Sequence, residues 1–527
     1  MTELQELQLI TSTNRKFHNF VDITFPIIRI NSNSFQTLGV NLMSTPLKMM
    51  PKNNNVPWWI LTVSIVLAFT LPVLVQDAMF QDAMLYSSVS HNLAIGIGTF
   101  WFPQYSTLNI AGIPSFHEQP PLVFGIQSVF YKVLGDSIYV ERFYTLLMII
   151  AHIILINVLW KLNFNKTHNQ YKLGWIAVTF WILIPVCSWC FHNNLMENTM
   201  SIFDLAAVII IVQHLKKQSV NYFAWIIAGL LIFLASFSKG LPGLFPIIVP
   251  FLYWIVNRKS GFQKHLFLAL LLFSVPAVIY TILFIIPVSR ESLSIYVFKR
   301  LLVRIDSMPT SSYRLEIFWR LFTEMIPVLL VLCIVFAVGF FKKANFAIRE
   351  NSKTAAFYFL IGLSGSTPLA LTMVQKGWYL VPSFPYFAIA AAMLISPYIS
   401  KSLASIDTSG KKFKIFYIST IILFISVMLV SATQFGKISR EKQTLSDVYK
   451  IGKVVPRFST MTVPENLYDE YDFILQGFLV RHFNISIDPT KKYKYFLNEK
   501  GNNSTIPPEY QRVEIALDKY ELYVRKE

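Results

Sequence analysis

The stretch PWWILTVSIVLAFTLPVLVQDAMFQDAMLY, residues 57–86, decides the fold. Its apolar part, 57–76, carries no charged residue and is long enough to cross about 30 Å of hydrocarbon as a helix. Two acids, Asp77 and Asp82, follow directly where the apolar run stops. The pattern predicts a membrane-spanning helix that opens into an acidic loop.

The rest of the chain has the composition of a membrane protein. Of its 527 residues, 54% are hydrophobic and only 14% are charged, whereas soluble domains carry about 25% charged residues. Ten further apolar runs resemble the first, so we expect an all-α polytopic membrane bundle of about eleven spans, within a range of 10–13. The further spans are predicted near 139–160, 173–190, 199–215, 222–238, 240–256, 265–287, 325–341, 354–372, 379–398 and 413–435.

The net charge of +17 is explained by the distribution of Lys and Arg over the loops. Every second short loop is basic, for example at Lys216 and Lys217, while the opposite short loops carry only Lys239 and Lys376. Lys and Arg collect on the cytoplasmic side of membrane proteins. We therefore predict a multi-pass protein of the bacterial cytoplasmic membrane with a cytoplasmic N-terminus, membrane lipids as neighbours, and no nucleic-acid partner.

Three parts of the chain are predicted. Residues 1–55 are polar and are interpreted as a cytoplasmic tail or as sequence upstream of the true start. Residues 56–435 form the transmembrane domain, with a long external loop at 77–138. Residues 436–527 have ordinary soluble composition and alternating segments near 494–497 and 521–524, which predict a small external α/β domain.

Several motifs face the external side in this topology. Asp82 and Tyr86 are four residues apart and share a face if their segment is helical. His117-Glu118-Gln119-Pro120-Pro121 closes the same loop, and Lys239 and Lys376 follow later spans. A solvated structural acid is the simpler interpretation of Asp82 when it is taken alone.

Order and topology of these motifs resemble those of the polyprenyl-phosphate-sugar glycosyltransferases of the GT-C class, especially aminoarabinose transferase and protein O-mannosyltransferase relatives. The resemblance covers most of 57–400. It implies a GT-C architecture and an inverting transfer of sugar from a polyprenyl (undecaprenyl) phosphate donor to a lipid, protein or cell-envelope glycan acceptor at the outer face of the membrane.

The resemblance also implies roles for individual residues. Asp82 corresponds to the catalytic carboxylate that activates the acceptor, and Glu197 to a second acid at the site. The residues expected to contact substrate or phosphate are Tyr86, Glu118, Gln119, Arg142, Lys239, Arg290, Lys376 and Tyr379. Two positions depart from the family pattern: Ala83 replaces an acid, and Gln119 replaces a Lys.

Metal use is left open. His117, Glu118 and His192 are possible ligands, but the basic external loop at 288–324 contains no His that could complete a site. We expect no required cofactor.

Two alternatives from other classes remain. A transporter or flippase for a lipid-linked saccharide would need ionisable groups within its spans, and Asp204 is the main one here. An inactive membrane scaffold is the other alternative, because Ala83 and Gln119 depart from the pattern of active relatives.

Overall fold

The computed structural model describes residues 55–526, except 109–114, 218–220, 259–260, 304–308, 344–345, 469–473 and 503. The predicted tail at 1–55 lies, apart from Asn55, outside the described residues. The α-helices of the described chain are α1 Val56–Leu74, α2 Gln81–Ala94, α3 Leu122–Leu134, α4 Tyr139–Lys161, α5 Gly174–Ile182, α6 Pro185–His192, α7 Met196–Lys217, α8 Tyr222–Lys239, α9 Val249–Asn257, α10 Phe262–Ile285, α11 Pro287–Ser294, α12 Glu316–Phe341, α13 Ser352–Ser366, α14 Phe384–Ala404, α15 Lys411–Gln434, α16 Lys442–Ile451 and α17 Ile474–Phe483.

Nine helices of the described chain are long and apolar enough to cross a membrane. They are α1, α4, α7, α8, α10, α12, α13 with its extension to Leu371, α14 with the 3-10 turn Gly377–Ser383 before it, and α15. The expected all-α membrane bundle is therefore confirmed.

The bundle has a centre and a lipid-facing rim. Of the apolar window in Gly377–Ala404, 89% is buried inside the protein, against 11% in Glu316–Phe341. Helices α10 and α15 resemble α12 in this respect. Because lipid tails are as apolar as Leu, the exposed side chains of these outer helices are compatible with contact to lipid.

Two of the predicted spans are irregular. The span expected at 173–190 is a pair, α5 and α6, bent by 76° at a break before Pro185. The span expected at 240–256 is shorter than the nine and starts as the 3-10 helix Leu241–Ile248. Prolines explain both, since a proline ring has no N–H to donate and blocks the preceding turn. Carboxylate oxygen Oε2 of Glu324 accepts a hydrogen bond from the Val186 amide at the start of α6 (2.8 Å).

The C-terminal segment contains α16, α17 and a five-stranded sheet. Its strands are β1 Thr460–Thr462, β2 Ser486–Asp488, β3 Tyr495–Glu499, β4 Tyr510–Arg512 and β5 Tyr520–Arg525, in the order β2-β1-β3-β5-β4. Strand β1 is parallel to both neighbours, and β5 is antiparallel to β3 and β4. The two segments predicted to be extended are β3 and β5, which pair with Tyr495 opposite Val524.

Helix α2 belongs to two hydrophobic cores at once. Ala83 and Met84 pack into the core of the C-terminal segment with residues such as Phe478. Tyr86 and Val89, on another face of the same helix, pack into the core of the membrane bundle. The helix that carries Asp82 in its first turn is therefore enclosed on two sides, and its orientation depends on both.

Candidate active site

The chain enters the first loop through a short paired segment. The amide of Asp77 donates to the Lys437 carbonyl (2.9 Å), and the Ser439 amide donates to the Asp77 carbonyl (3.0 Å). Carboxylate oxygen Oδ2 of Asp77 accepts a hydrogen bond from the Tyr449 hydroxyl (2.5 Å). Asp77 therefore connects the end of α1 to the C-terminal segment and has a structural role.

Ala78 has a left-handed backbone, with φ of 73°, which strains a residue that has a Cβ. Arg142 stabilises this turn. Its Nη2 donates to the Ala78 carbonyl (2.7 Å), and its Nη1 donates to the His192 carbonyl (2.8 Å). The guanidinium that the resemblance assigns to substrate thus lies buried between main-chain carbonyls at the start of α4.

Asp82 lies in the first turn of α2 and is partly exposed. Burial raises the pKa of its carboxyl group, and the charges of Lys239 and Lys376 oppose that rise. The carboxylates of Glu118 and Glu197 raise the same pKa further. Four of the residues predicted from separate parts of the chain therefore act electrostatically on Asp82.

The site also contains a buried ion pair. Lys239 Nζ lies 3.2 Å from Glu197 Oε1, and the two side chains are only 8% and 1% exposed. The same ammonium lies 5.3 Å from the ring centre of Tyr86 and 5.8 Å from that of Tyr379. Cation–π attraction adds to the ion pair at these distances. The pair places one fixed positive charge beside Asp82.

Local backbone geometry explains how Lys239 reaches this place. It is the last residue of α8, and Gly240 ends the helix with φ of 101°. A Cβ at Gly240 would meet the Tyr296 hydroxyl at 2.1 Å. Glycine is therefore required both for the backbone turn and for the approach of Tyr296.

Other predicted residues line the rim. Lys376 precedes the 3-10 turn Gly377–Ser383, with its Nζ 5.7 Å from the ring centre of Trp378. Glu118 Oε1 lies 3.8 Å from Nη1 of Arg300, and Gln119 is buried beside it in the chain. Arg290, in contrast, is exposed on α11.

Arg300 is the residue that the sequence did not single out. It lies in the segment Ile295–Leu301, which has π-helical hydrogen bonding. This form of helix often marks functional sites. In the sequence it is one of six basic residues between 288 and 324, and no local signal separates it from Arg290 or Lys299. Its contact with Glu118 depends on how the loop folds back.

The position of Ala83 gains a physical explanation. Ala83 is completely buried in the core of the C-terminal segment. A carboxylate at this position would lie among apolar side chains, at a cost of several kcal/mol. An acid following Asp82 is therefore incompatible with the packing of α2 in this protein.

The possible metal ligands have other partners. His117 Nε2 lies 2.5 Å from the Ser115 hydroxyl and its Nδ1 lies 3.3 Å from the Ser292 hydroxyl. Burial, with help from the charge of Arg300, lowers the pKa of His117 to about 4. His192 Nε2 is bonded to the Phe69 carbonyl (2.7 Å). Within the part of the chain that the structure describes, no three His, Cys, Asp or Glu side chains are grouped to hold a metal ion.

One family profile matches part of this chain. Residues 118–283 match the family profile described as dolichyl-phosphate-mannose-protein mannosyltransferase. This segment includes Glu118, Glu197 and Lys239. No curated protein sequence matches the chain significantly.

Solved structures of other proteins are similar to this chain at low sequence identity. The apo structure of ArnT from Cupriavidus metallidurans is 13% identical, with a TM-score of 0.60 over 89% of this chain and 98% of that one. The same protein bound to undecaprenyl phosphate is 12% identical, with a TM-score of 0.59 over 88% and 97%. An oligosaccharyltransferase, AglB from Archaeoglobus fulgidus, is 12% identical with a TM-score of 0.45 over 84% and 69%.

The fold of ArnT extends over nearly the whole of both chains, and the matched segment contributes three acidic and basic residues to the cluster around Asp82. This protein therefore has the fold of ArnT, with nine helices in its described part that are long and apolar enough to cross a membrane, and residues 118–283 resemble the dolichyl-phosphate-mannose-protein mannosyltransferase family.

Proposed function

We propose that this protein transfers a sugar, with inversion, from a polyprenyl-phosphate donor to a hydroxyl group of an acceptor at the outer face of the bacterial cytoplasmic membrane. The observation that carries the proposal is the position of Asp82 on α2, beside the buried Lys239–Glu197 pair. The undecaprenyl phosphate bound in the ArnT structure supports a lipid-phosphate donor.

In the proposed reaction, the Asp82 carboxylate accepts the proton of the acceptor hydroxyl. The resulting oxygen nucleophile attacks the anomeric carbon, and the bond from that carbon to the phosphate oxygen breaks. Polyprenyl phosphate leaves with the bonding electrons, so one displacement inverts the anomeric centre. A base whose pKa is raised toward the working pH is well suited to this proton transfer, and burial raises the pKa of Asp82.

The cations have a separate task. Lys239 is held in place by Glu197 and would stabilise the charge that develops on the leaving phosphate. Lys376 and Arg300 are the further candidates for phosphate oxygens, and Arg side chains can bind such groups through two hydrogen bonds. Arg290 has a more distant role or none in this arrangement, since it is exposed on α11.

Substitution of the proposed base tests the mechanism. Asp82→Asn keeps the size of the side chain and removes its basicity, so transfer from a polyprenyl-phosphate sugar should fall by at least about a hundredfold. Gel filtration and thermal melting in detergent should show that the variant is folded. Near-normal transfer by folded Asp82→Asn protein would contradict the proposal.

The sugar and the acceptor need a different experiment. In a deletion strain, the unused donor should accumulate, and mass spectrometry of extracted lipids would name its sugar. A protein that only moves the lipid would instead leave the sugar transferred by another enzyme, and purified protein would show no turnover. Dialysis against a chelator tests metal use: continued transfer would show that no divalent ion is required, and a loss of transfer that added ion restores would show that one is.

A further inference from the structure

Helix α17 of the C-terminal segment lies against α2, the helix that carries Asp82. The two helices approach closely at Gly477. A Cβ at this position would lie 3.1 Å from the Met84 Cβ and 3.6 Å from the Tyr105 hydroxyl. Ordinary contacts between such carbons are 3.5–4.0 Å. Glycine therefore allows a separation between α2 and α17 that any larger residue would increase.

The other end of α2 is held through Asp136. Its Oδ1 lies 2.8 Å from Nε2 of His91, in the last turn of α2, and 3.4 Å from Nη1 of Arg481 on α17. Its Oδ2 lies 3.1 Å from Arg457. Charge–charge interactions and hydrogen bonds together lower the pKa of Asp136 to about 2 although burial opposes this, so the group is a carboxylate at neutral pH.

Arg481 is itself firmly placed. Its side chain is completely buried, and its Nη2 donates to Glu141 Oε2 and to the Ser137 carbonyl, both at 2.9 Å. Nε donates to the other oxygen of Glu141 (3.1 Å). Paired guanidinium–carboxylate contacts of this kind have a defined geometry. Helix α17 thus joins the start of α4 to the C-terminal end of α2.

Both contacts converge on one helix. Met84 is two residues from Asp82 on α2. His91 lies on the same helix, about two and a half turns after Asp82. The opposite side of α2 carries Tyr86, which packs against Lys239. A shift of α2 on its α17 side would therefore change the distance between the Asp82 carboxylate and the Lys239 ammonium.

From these contacts we infer that α17 positions the catalytic helix, with Gly477 and Asp136 as its positioning residues. The inference rests on the proposed role of Asp82. The C-terminal segment is then part of the catalytic apparatus, although none of its side chains needs to touch a substrate.

Graded substitution of Gly477 tests the first contact. Gly477→Ala should lower kcat by roughly fivefold and Gly477→Leu by about a hundredfold, because a displacement of about 1 Å can cost two orders of magnitude in rate. The KM for the polyprenyl-phosphate sugar should stay within twofold, since the donor-side cations are on other helices. Gly261→Ala is the matched control: its Cβ would meet nothing within 4 Å, so its kcat should equal that of the unchanged protein.

A second control separates positioning from stability. Leu522 is buried in the core of the C-terminal segment on β5. Leu522→Ala should lower the melting temperature and leave kcat, measured well below melting, within twofold of normal. Gly477→Ala should instead lower kcat and leave the melting temperature close to that of the unchanged protein. It should also move the acid limb of the pH–rate profile, because the distance from Asp82 to Lys239 changes.

Asp136→Asn tests the second contact with little change in shape. It removes the charge that holds His91 and should lower kcat by roughly threefold to tenfold with the same donor KM and a shifted acid limb. Combination with Gly477→Ala should be less than multiplicative, because both changes act on the position of one helix.

The outcomes distinguish the two proposals. If Asp82→Asn is inactive while Gly477→Leu and Asp136→Asn keep normal kcat and pH profiles, the positioning role is wrong and the proposed function stands. If Leu522→Ala and Gly477→Ala lose activity in the same proportion to their loss of stability, α17 has only a structural role. If the unchanged protein transfers no sugar from any polyprenyl-phosphate donor, both proposals are overturned.

Discussion

Lys239 and Glu197 illustrate how much a single buried contact decides at the scale of the residue. Each side chain is an ordinary charge in the sequence, and burial of either alone would be very unfavourable. At 3.2 Å they neutralise each other and leave the site with a fixed ammonium between two aromatic rings. In the proposed mechanism, the chemistry at Asp82 depends on that charge.

Removal of the ammonium should therefore affect stability as well as activity. Lys239→Met leaves Glu197 buried and unpaired, which should lower the free energy of unfolding by about 3–5 kcal/mol. The double variant Lys239→Met with Glu197→Gln should regain most of that stability but not the transfer activity. Thermal melting measures the stability, and the rate of transfer together with the donor KM measures the activity. Recovery of activity in the double variant would contradict the role of Lys239 at the phosphate.

In the proposed mechanism, the ionisation of Asp82 sets the pH dependence of the reaction. The group must be ionised to accept a proton, and burial raises its pKa above the usual 3.8. Activity should therefore be full above the raised pKa and fall as the pH drops through it. Because the Lys239 charge lowers this pKa, any residual activity of Lys239→Met should be lost at a higher pH than that of the unchanged protein. An acid limb at the same pH in both proteins would exclude the coupling.

At the scale of the element, the ends of helices matter more than their middles. Helix α8 stops at Lys239 because Gly240 adopts a φ that other residues avoid. Helix α2 starts after the strained Ala78 turn, whose carbonyl Arg142 binds. Both charges of the candidate site, Asp82 and Lys239, are thus at helix termini whose backbone is specified by neighbouring residues.

Gly240 offers a direct test of this point. Gly240→Ala combines an unfavourable φ with a contact of 2.1 Å to the Tyr296 hydroxyl, and we expect a loss of about 1–3 kcal/mol in stability and a marked loss of activity. Adding Tyr296→Phe removes the hydroxyl and should restore part of the loss, leaving the part due to φ. Differential scanning fluorimetry in detergent compares the variants, with Gly261→Ala as the control. Full stability in Gly240→Ala would show that the helix end can relax.

The whole molecule has two cores that meet at α2. A bundle without its C-terminal segment would keep its spans but would expose Ala78, Ala83 and Met84 to water. Because this apolar surface would lose its cover, α2 should become mobile.

Cleavage between the two parts measures that dependence. A protease site inserted at the exposed Glu441, beyond the residues that pair with Asp77, would allow the full protein to fold before it is cut. Cutting alone should leave activity close to normal, because the packed cores still hold the pieces together. Cutting followed by a mild denaturant wash should release the C-terminal piece, abolish transfer and make the 77–138 loop sensitive to trypsin. Retained activity after release would show that the bundle holds α2 alone.

Some parts of this fold could be predicted from the sequence, and others could not. The regular spans follow from long uncharged runs, which have few stable alternatives in hydrocarbon. The irregular ones do not, since Pro185 and Pro246 interrupt hydrogen bonding inside runs that look continuous by composition. The strands β3 and β5 were predictable from alternation, but the parallel pairing of β3 with β1 was not.

The candidate site likewise has features that the sequence predicted and features that it did not. The acidic loop after the first span and the basic residues at the ends of later spans could be predicted from residue type and topology, whereas Asp82 was selected by the resemblance to GT-C glycosyltransferases. The pairing of Lys239 with Glu197, the contact of Arg300 with Glu118 and the use of Arg142 by carbonyls were not, because each joins residues far apart in the chain.

The acidic stretch at 77–86 thus shows both contributions. By itself the sequence determined that the chain spans a membrane and that carboxylates follow its first span, because hydrophobicity and charge act locally and each segment expresses them alone. Only the tertiary structure decided which of the two carboxylates faces the cations. Asp77 is bound to the C-terminal segment, whereas the charge of Lys239 acts on Asp82, since that choice depends on how α2 packs between two cores contributed by distant parts of the chain.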